Sequence, residues 1–119
     1  MITIGQTCEL DKDSQYPSIR ELINKPIREK SKVIEYMRKS KVIAVAPARV
    51  RDIINPDNKI PELFLMTDGK YEWRSDVIYY VEKYDMELPK EFIEHVLNEI
   101  KKNGLVSREL LQRKRDRKG

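Results

Sequence analysis

The residue types best able to do covalent chemistry are rare in this chain. His95 is the only histidine and Cys8 the only cysteine among 119 residues, and they lie far apart in the sequence. Nucleophilic catalysis needs a nucleophile, a base within hydrogen-bond reach and a group that orients the base. Helical spacing places His95 beside Glu91 and Glu99, which is typical of a surface histidine with carboxylate neighbours. We therefore expect no catalytic residues and a protein that is not an enzyme.

Metal and phosphate binding also lack their usual residue patterns. One histidine and one cysteine cannot supply the four ligands of a structural zinc site. Asp11 and Asp13 lie close in sequence, but the glycine and downstream glutamate of a calcium loop are missing. The four glycines are scattered along the chain, so no glycine-rich phosphate loop is present. We expect neither a bound metal nor a cofactor.

The pattern with a chemical use is an aromatic segment interleaved with acidic residues. Large aromatic side chains often close a core, which is the expected role of Trp73, Tyr80 and Tyr84. Tyrosine and tryptophan also anchor protein interfaces, and acidic side chains beside them favour a basic partner. Both roles are compatible if Tyr79 lies on the outer side of a helix. We expect a partly exposed partner-binding surface formed by Glu72, Trp73, Asp76, Tyr79, Glu82 and Asp85.

A hairpin and two helices between residues 62 and 100 must position these side chains. Residues 62–66 and 70–74 are predicted strands, with Asp68-Gly69 between them, two residues that tolerate the positive φ of a tight turn. Ser75 is expected to cap a helix, and Pro89 suits the first turn of the next helix. Spacings of three and four predict the buried faces of these two helices: Val77, Ile78, Val81 and Tyr84, then Phe92, Ile93, Val96, Leu97 and Ile100.

The first half of the chain carries a weaker apolar signal. Residues 1–15 indicate an extended or irregular lead, and Ser18 with Glu21 fits a capping box before a short helix. A second helix is predicted from residue 26 to residue 40. The uninterrupted apolar run of residues 41–46 (KVIAVA) predicts a buried strand. Residues 49–54 suit a strand or a helical turn equally, and residues 55–58 form a turn by composition.

Charge is distributed unevenly along the chain. The net charge of +4 combines three segments: residues 1–56 carry eleven basic and seven acidic side chains, residues 57–99 carry five and eleven, and residues 100–119 carry eight and two. We expect one α+β domain over residues 1–112, a basic tail over 113–119, and a small, mainly antiparallel sheet with a central hairpin, flanked by four or five helices.

Neither a signal peptide nor a membrane-spanning run is evident, and one cysteine suits a reducing compartment, so the expected location is the cytoplasm.

Several motifs in the second half resemble a group of small bacterial proteins. They are TDGKYEW, the Tyr-Tyr pair of VIYYVEKY, and the Leu-Pro and phenylalanine of ELPKEFIEH. The resemblance extends over roughly residues 43–96 and brings no catalytic residue with it. Some members of this group resemble immunity proteins, which are encoded beside secreted polymorphic or contact-dependent toxins. The resemblance therefore implies a protein that binds and neutralises a toxin.

These observations favour a cytoplasmic, non-enzymatic protein that binds a partner protein, with a cognate toxin as the expected partner. The alternative is a small nucleic-acid-associated or regulatory protein that uses its basic tail to contact phosphates. Against that alternative, the aromatic residues lie in the acidic segment, so stacking and positive charge are not found together. No membrane partner is expected.

Overall fold

A small sheet carries the fold, and helices from both halves of the chain pack against it. The computed structural model describes residues 1–46, 50–60 and 62–103. The predicted basic tail and residue 49 lie outside these ranges. In chain order the elements are β1 (Ile2–Thr3), α1 (Ile19–Leu22), α2 (Lys30–Lys39), β2 (Lys41–Ala46), β3 (Val50–Arg51), β4 (Lys59–Ile60), β5 (Leu63–Thr67), β6 (Tyr71–Arg74), α3 (Ser75–Tyr84) and α4 (90–103).

The main sheet has four strands in the order β1-β6-β5-β2. Both β2 and β6 run antiparallel to β5, while β1 runs parallel to β6. A separate antiparallel pair is formed by β3 and β4, which decides the fold of residues 50–51 in favour of a strand. The predicted α+β class with a mainly antiparallel sheet is therefore confirmed.

The central hairpin is present as predicted, with a three-residue connection between β5 and β6. Only Gly69 takes a positive φ, of 99°, so Asp68 does not need the left-handed conformation. The Asp68 carboxylate instead accepts hydrogen bonds from the backbone amides of Lys70 and Tyr71, at 3.0 and 2.8 Å. A carboxylate that satisfies the free amides of its own turn stabilises that turn locally.

One face of the sheet carries most of the core. Trp73 pairs with Met66 across the hairpin, and its ring meets that of Phe92 from α4 at a centroid distance of 5.5 Å. As predicted, both helices after the hairpin bury an apolar face. The core side chains contributed by α3 and α4 are Val77, Ile78, Tyr80, Val81, Phe92, Ile93, Val96 and Leu97.

The prediction of a buried strand at residues 41–46 is half wrong. The strand exists, but it lies at an edge of the sheet and five of its six residues are exposed. An apolar run of this length predicts a strand, but the run says nothing about the strand's position in the sheet, which depends on pairing with residues far along the chain. Its register with β5 also contains a bulge between Val42 and Ala44.

The start of the chain was predicted to be extended or irregular, and β1 decides in favour of extended backbone at Ile2 and Thr3. This strand pairs with β6: the amides of Ile2 and Ile4 donate to the carbonyls of Lys70 and Glu72. Ser18 does cap α1 by accepting from the amide of Arg20.

The expected partner Glu21 does not complete the capping box at α1. Glu9 instead binds the start of the helix from outside, accepting from the Ser18 hydroxyl at 2.6 Å and the Ile19 amide at 2.9 Å. Burial alone would raise the pKa of Glu9, but these hydrogen bonds outweigh burial and lower the pKa to about 2. A loop carboxylate thus replaces the side chain that the sequence pattern predicted.

The starts of helices α2 and α3 also differ from expectation. Helix α2 begins at Lys30 and not at residue 26, after Glu29 in the left-handed region at φ 48°. Ser75 begins α3 but does not cap it, since its hydroxyl accepts from the Phe64 amide on β5 at 2.8 Å. The side chain therefore joins helix and sheet, while the first turn of α3 has Asp76 near its positive end.

Candidate docking surface

The six side chains expected to form a partner-binding surface do not share one surface. Trp73 is fully buried and Asp76 is 1% exposed, so neither can contact a partner directly. Asp76 pairs with Arg74 at 2.9 Å. Burial raises the pKa of Asp76, and the nearby Arg74 only partly offsets this effect. The expectation was wrong for Trp73 because its face of β6 packs against Phe92. It was wrong for Asp76 because helical spacing alone does not tell which flank of α3 is buried.

Glu72, Glu82 and Asp85 are engaged with other elements of the chain. Glu72 accepts a hydrogen bond from Thr3 on β1 at 2.8 Å. Glu82 pairs with Arg38, and Asp85 pairs with Lys30 at 2.6 Å. Lys30 and Arg38 both lie on α2. Two of the side chains expected to contact a partner protein, Glu82 and Asp85, therefore form ion pairs within the molecule.

Tyr79 is half-buried and takes part in a network around a buried carboxylate. Asp52 is fully buried and accepts from the hydroxyls of Tyr79 at 2.8 Å and Tyr84 at 2.5 Å. It also accepts from the amides of Ile54 and Asn55. Burial alone would raise the pKa of Asp52, but these hydrogen bonds lower it overall. The network fastens the loop after β3 to α3, a role that sequence spacing could not reveal because the partners lie 27 and 32 positions apart.

His95 is not the free surface histidine that its neighbours in α4 suggested. Its Nε2 atom lies 2.7 Å from Asp68 Oδ2, which also accepts from the Tyr36 hydroxyl at 2.7 Å. Burial opposes ionisation of Asp68, but the hydrogen bonds from Tyr36, the turn amides and His95 lower its pKa to about 2. The histidine therefore ties α4 to the hairpin turn and to α2.

The largest exposed apolar side chains lie at the two edges of the main sheet. Within the described ranges they are Met1 and Ile2 at the β1 edge, and Val42, Ile43 and Val45 on β2. The β1 edge is only two residues long, whereas β2 has six, of which Lys41 alone is charged. Edge strands of soluble proteins are usually protected by charge, proline or short length. We call the outer side of Lys41–Ala46 the β2 edge.

A groove lies directly beside the β2 edge, between the sheet and helices α2 and α3. Its volume is about 570 Å³. Its apolar lining comes from Val42, Phe64, Met66 and Ile78, and its polar lining includes Tyr79 and Glu82. Two of the six residues expected to bind a partner therefore line this groove. We call it the β2 groove.

The β2 edge and the β2 groove together form a candidate docking surface, of which sequence analysis anticipated only Tyr79 and Glu82. The available signal for the edge was the uncharged run VIAVA before Pro47, with three β-branched side chains, which indicates a strand that lacks protective charges. The groove carries no such signal, because its lining residues come from four elements that only the fold brings together.

Other classes of site receive no support from the part of the chain that the structure describes. Among residues 1–46, 50–60 and 62–103, no three His, Cys, Asp or Glu side chains converge as a metal site would require. In the same ranges, no helix combines the length and apolar character needed to cross a membrane. Comparison of the chain with protein-family models, with curated proteins and with solved structures finds no match.

Proposed function

We propose that this protein acts by binding another protein, and that the β2 edge and the β2 groove form its docking surface. The observation that carries the proposal is the exposure of Val42, Ile43 and Val45 on a long edge strand. An exposed edge offers unpaired backbone groups to an incoming strand, and neighbouring pockets can select its side chains. Apolar side chains beside such an edge add the burial that gives a complex its affinity.

A binding function without catalysis is consistent with the structural roles of the two hydrogen-bonded carboxylates, Asp52 and Asp68. The carboxylates of Asp52 and Asp68 accept hydrogen bonds within the fold, and the arrangement of each is explained by tying separate elements together. The docking surface, by contrast, is apolar with a polar rim. This combination is typical of a protein interface, in which apolar contacts are central and polar groups surround them.

The resemblance to immunity proteins suggests the class of partner. We propose that the partner is a toxin and that this protein neutralises the toxin by binding it. Tyr79 and Glu82 remain in the proposed contact set through their place in the β2 groove. Trp73 and Asp76 are replaced as direct contacts by Val42, Ile43 and Val45.

The test is co-expression with the product of the adjacent gene, followed by a pull-down and by binding kinetics. Val45→Lys places a charge on the β2 edge, at a side chain that is 66% exposed and so tolerates substitution. We expect this variant to weaken the complex at least about tenfold, mainly through faster dissociation. Ile2→Lys is the matched control, because Ile2 is 53% exposed at the opposite edge of the same sheet, and its complex should keep wild-type affinity.

Two outcomes would contradict the proposal at different levels. If Val45→Lys binds the partner as the wild type does, the docking surface lies elsewhere. If the adjacent gene's product does not bind at all, the toxin-neutralising function fails.

A further inference from the structure

The β2 edge has a pattern that makes it complementary to itself. We propose that two copies of the free protein pair their β2 strands antiparallel about a two-fold axis, and that this dimer covers the docking surface until the partner displaces one copy. The dimer stands on the geometry of β2, while its regulatory consequence rests on the proposed function. The two four-stranded sheets would become one sheet of eight strands.

The bulge in β2 sets the register of this pairing. In a regular strand, residues three apart point to opposite faces of the sheet. Here Val42 pairs with Met66 and Val45 pairs with Phe64, and Met66 and Phe64 share a face. The extra residue at the bulge therefore brings both valines to one face. Only with both on one face can Val42 of one copy lie directly opposite Val45 of the other.

The same register suits the remaining side chains of the strand. Lys41 and Ala46 pair with Thr67 and Leu63, which share the other face of β5, so Lys41 lies opposite Ala46 of the second copy. Because Thr67 and Leu63 are four positions apart, the two Lys41 side chains are separated by about 14 Å along the strand. This separation exceeds the Debye length of about 8 Å at physiological salt. Lysine repulsion therefore does not oppose the dimer.

The β2 groove gives the incoming valine a place to pack. Val42 lines this groove together with Phe64, Met66 and Ile78. Val45 of the second copy, placed opposite Val42 on the same face, would enter the groove at its edge. The two-fold axis repeats this contact, so four valines and two grooves lose water exposure together. The β1 edge offers no equivalent, because its strand has two residues and pairs in parallel.

The first test is sedimentation velocity of the full chain at increasing concentration. A contact of six residues per strand is smaller than a standard interface of about 1,600 Å², so we expect a dissociation constant in the micromolar range. The average mass should rise from that of a 14.2 kDa monomer towards twice that value. Val45→Lys should raise the dissociation constant about a hundredfold or more, since it sets a lysine against Val42 of each partner copy. Ile2→Lys should change it less than about twofold.

The second test reads the register directly. In a Cys8→Ser background, Val42→Cys with Val45→Cys brings new thiols opposite each other across the two-fold axis. Within one copy these positions lie opposite Met66 and Phe64, about 7 Å apart along the strand, which is farther than the separation of about 4 Å between the Cβ atoms of a disulfide. We expect oxidation to give a covalent dimer, and Val42→Cys alone to give much less, because position 42 does not face itself.

The outcomes separate this inference from the proposed function. A wild type that stays monomeric up to near-millimolar concentration overturns the dimer. A dimer that Val45→Lys leaves intact, or that the paired thiols fail to cross-link, overturns this interface. In each of these cases, binding of the adjacent gene's product would leave the proposed function standing. If the protein forms the dimer but does not bind the adjacent gene's product, the dimer inference stands and the proposed function fails.

Discussion

At the scale of single residues, Asp68 connects three parts of the molecule through one carboxylate. Its oxygens accept from the hairpin's own amides, from Tyr36 on α2 and from His95 on α4. The side chain is 5% exposed. These hydrogen bonds stabilise the ionised carboxylate in the folded protein, so the pKa of Asp68 is lowered from its ordinary value of 3.8 to about 2. Ionisation of Asp68 is therefore coupled to folding.

This coupling predicts an acid-dependent loss of stability. Asp68→Asn should lower the free energy of unfolding at neutral pH by about 2 kcal/mol, since each pKa unit corresponds to about 1.4 kcal/mol. The wild-type advantage is complete above about pH 4 and is lost as the pH falls through about 2, because the folded pKa is the lower one. Urea unfolding at several pH values measures the gap between the two proteins.

The control for this measurement is Asp57→Asn, at an exposed aspartate in another turn. It should change stability little at any pH, because surface substitutions away from buried networks have small effects. If the difference in unfolding free energy between the wild type and Asp68→Asn stays constant from neutral to acid pH, the assigned role of the carboxylate is contradicted.

At the scale of elements, the segment after β1 lies directly against α3 at Gly5. This residue has a φ of 74°, and a Cβ atom built there would lie 2.6 Å from Val77 Cγ1. Gly69 also has a positive φ, of 99°, but a Cβ atom there would meet nothing within 4 Å. An alanine at position 69 would therefore add backbone strain alone, whereas an alanine at position 5 would add backbone strain and a steric clash.

We expect Gly5→Ala to destabilise the protein by about 2 kcal/mol or more, through both strain and overpacking. Adding Val77→Ala should recover part of that loss, so the double variant should be more stable than the sum of the single effects by about 1 kcal/mol. The matched control is Gly69→Ala, whose smaller cost should be unaffected by Val77→Ala. Thermal or urea unfolding of the five variants gives the comparison, and strict additivity at Gly5 would contradict the clash.

Elements with a strong local signal were predictable from the sequence, and their neighbours in space were not. The hairpin has Asp68-Gly69 between two strand-forming runs, and α4 repeats apolar residues at helical spacing, so both follow from local rules. The edge position of β2 and the burial of Asp76 depend on contacts between distant segments. The same holds for the candidate site, since its groove combines α2, β2, β5 and α3. Only Tyr79 and Glu82 were anticipated there.

At the scale of the whole molecule, the positive charge lies outside the described fold. The described ranges carry 17 basic and 18 acidic side chains, a net charge of −1, against +4 for the full chain. Residues 113–119 alone contribute five basic and one acidic side chain, or +4. Any electrostatic attraction to nucleic acid would therefore depend mainly on that tail.

Deletion of residues 113–119 tests the nucleic-acid alternative. We expect the full chain to bind DNA or RNA no more tightly than about 10⁻⁴–10⁻⁶ M at physiological salt, which is typical of non-specific association. The deletion should weaken even this binding and flatten its salt dependence, because fewer counterions are released. Fluorescence anisotropy at several salt concentrations measures both effects. A tighter, sequence-selective complex would instead favour the nucleic-acid function.

The parallel pairing of β1 with β6 has a consequence for the order in which the chain folds. Thr3 reaches Glu72 across 69 positions, so β1 is synthesised well before the strand with which it pairs. The hairpin between β5 and β6 closes over three residues and has no such delay, because short loops close fastest. Pulse-labelled hydrogen exchange should therefore find the amides of Ile2 and Ile4 protected after those of the hairpin. β1 would then be synthesised before the other strands of the main sheet and join that sheet after the hairpin has formed.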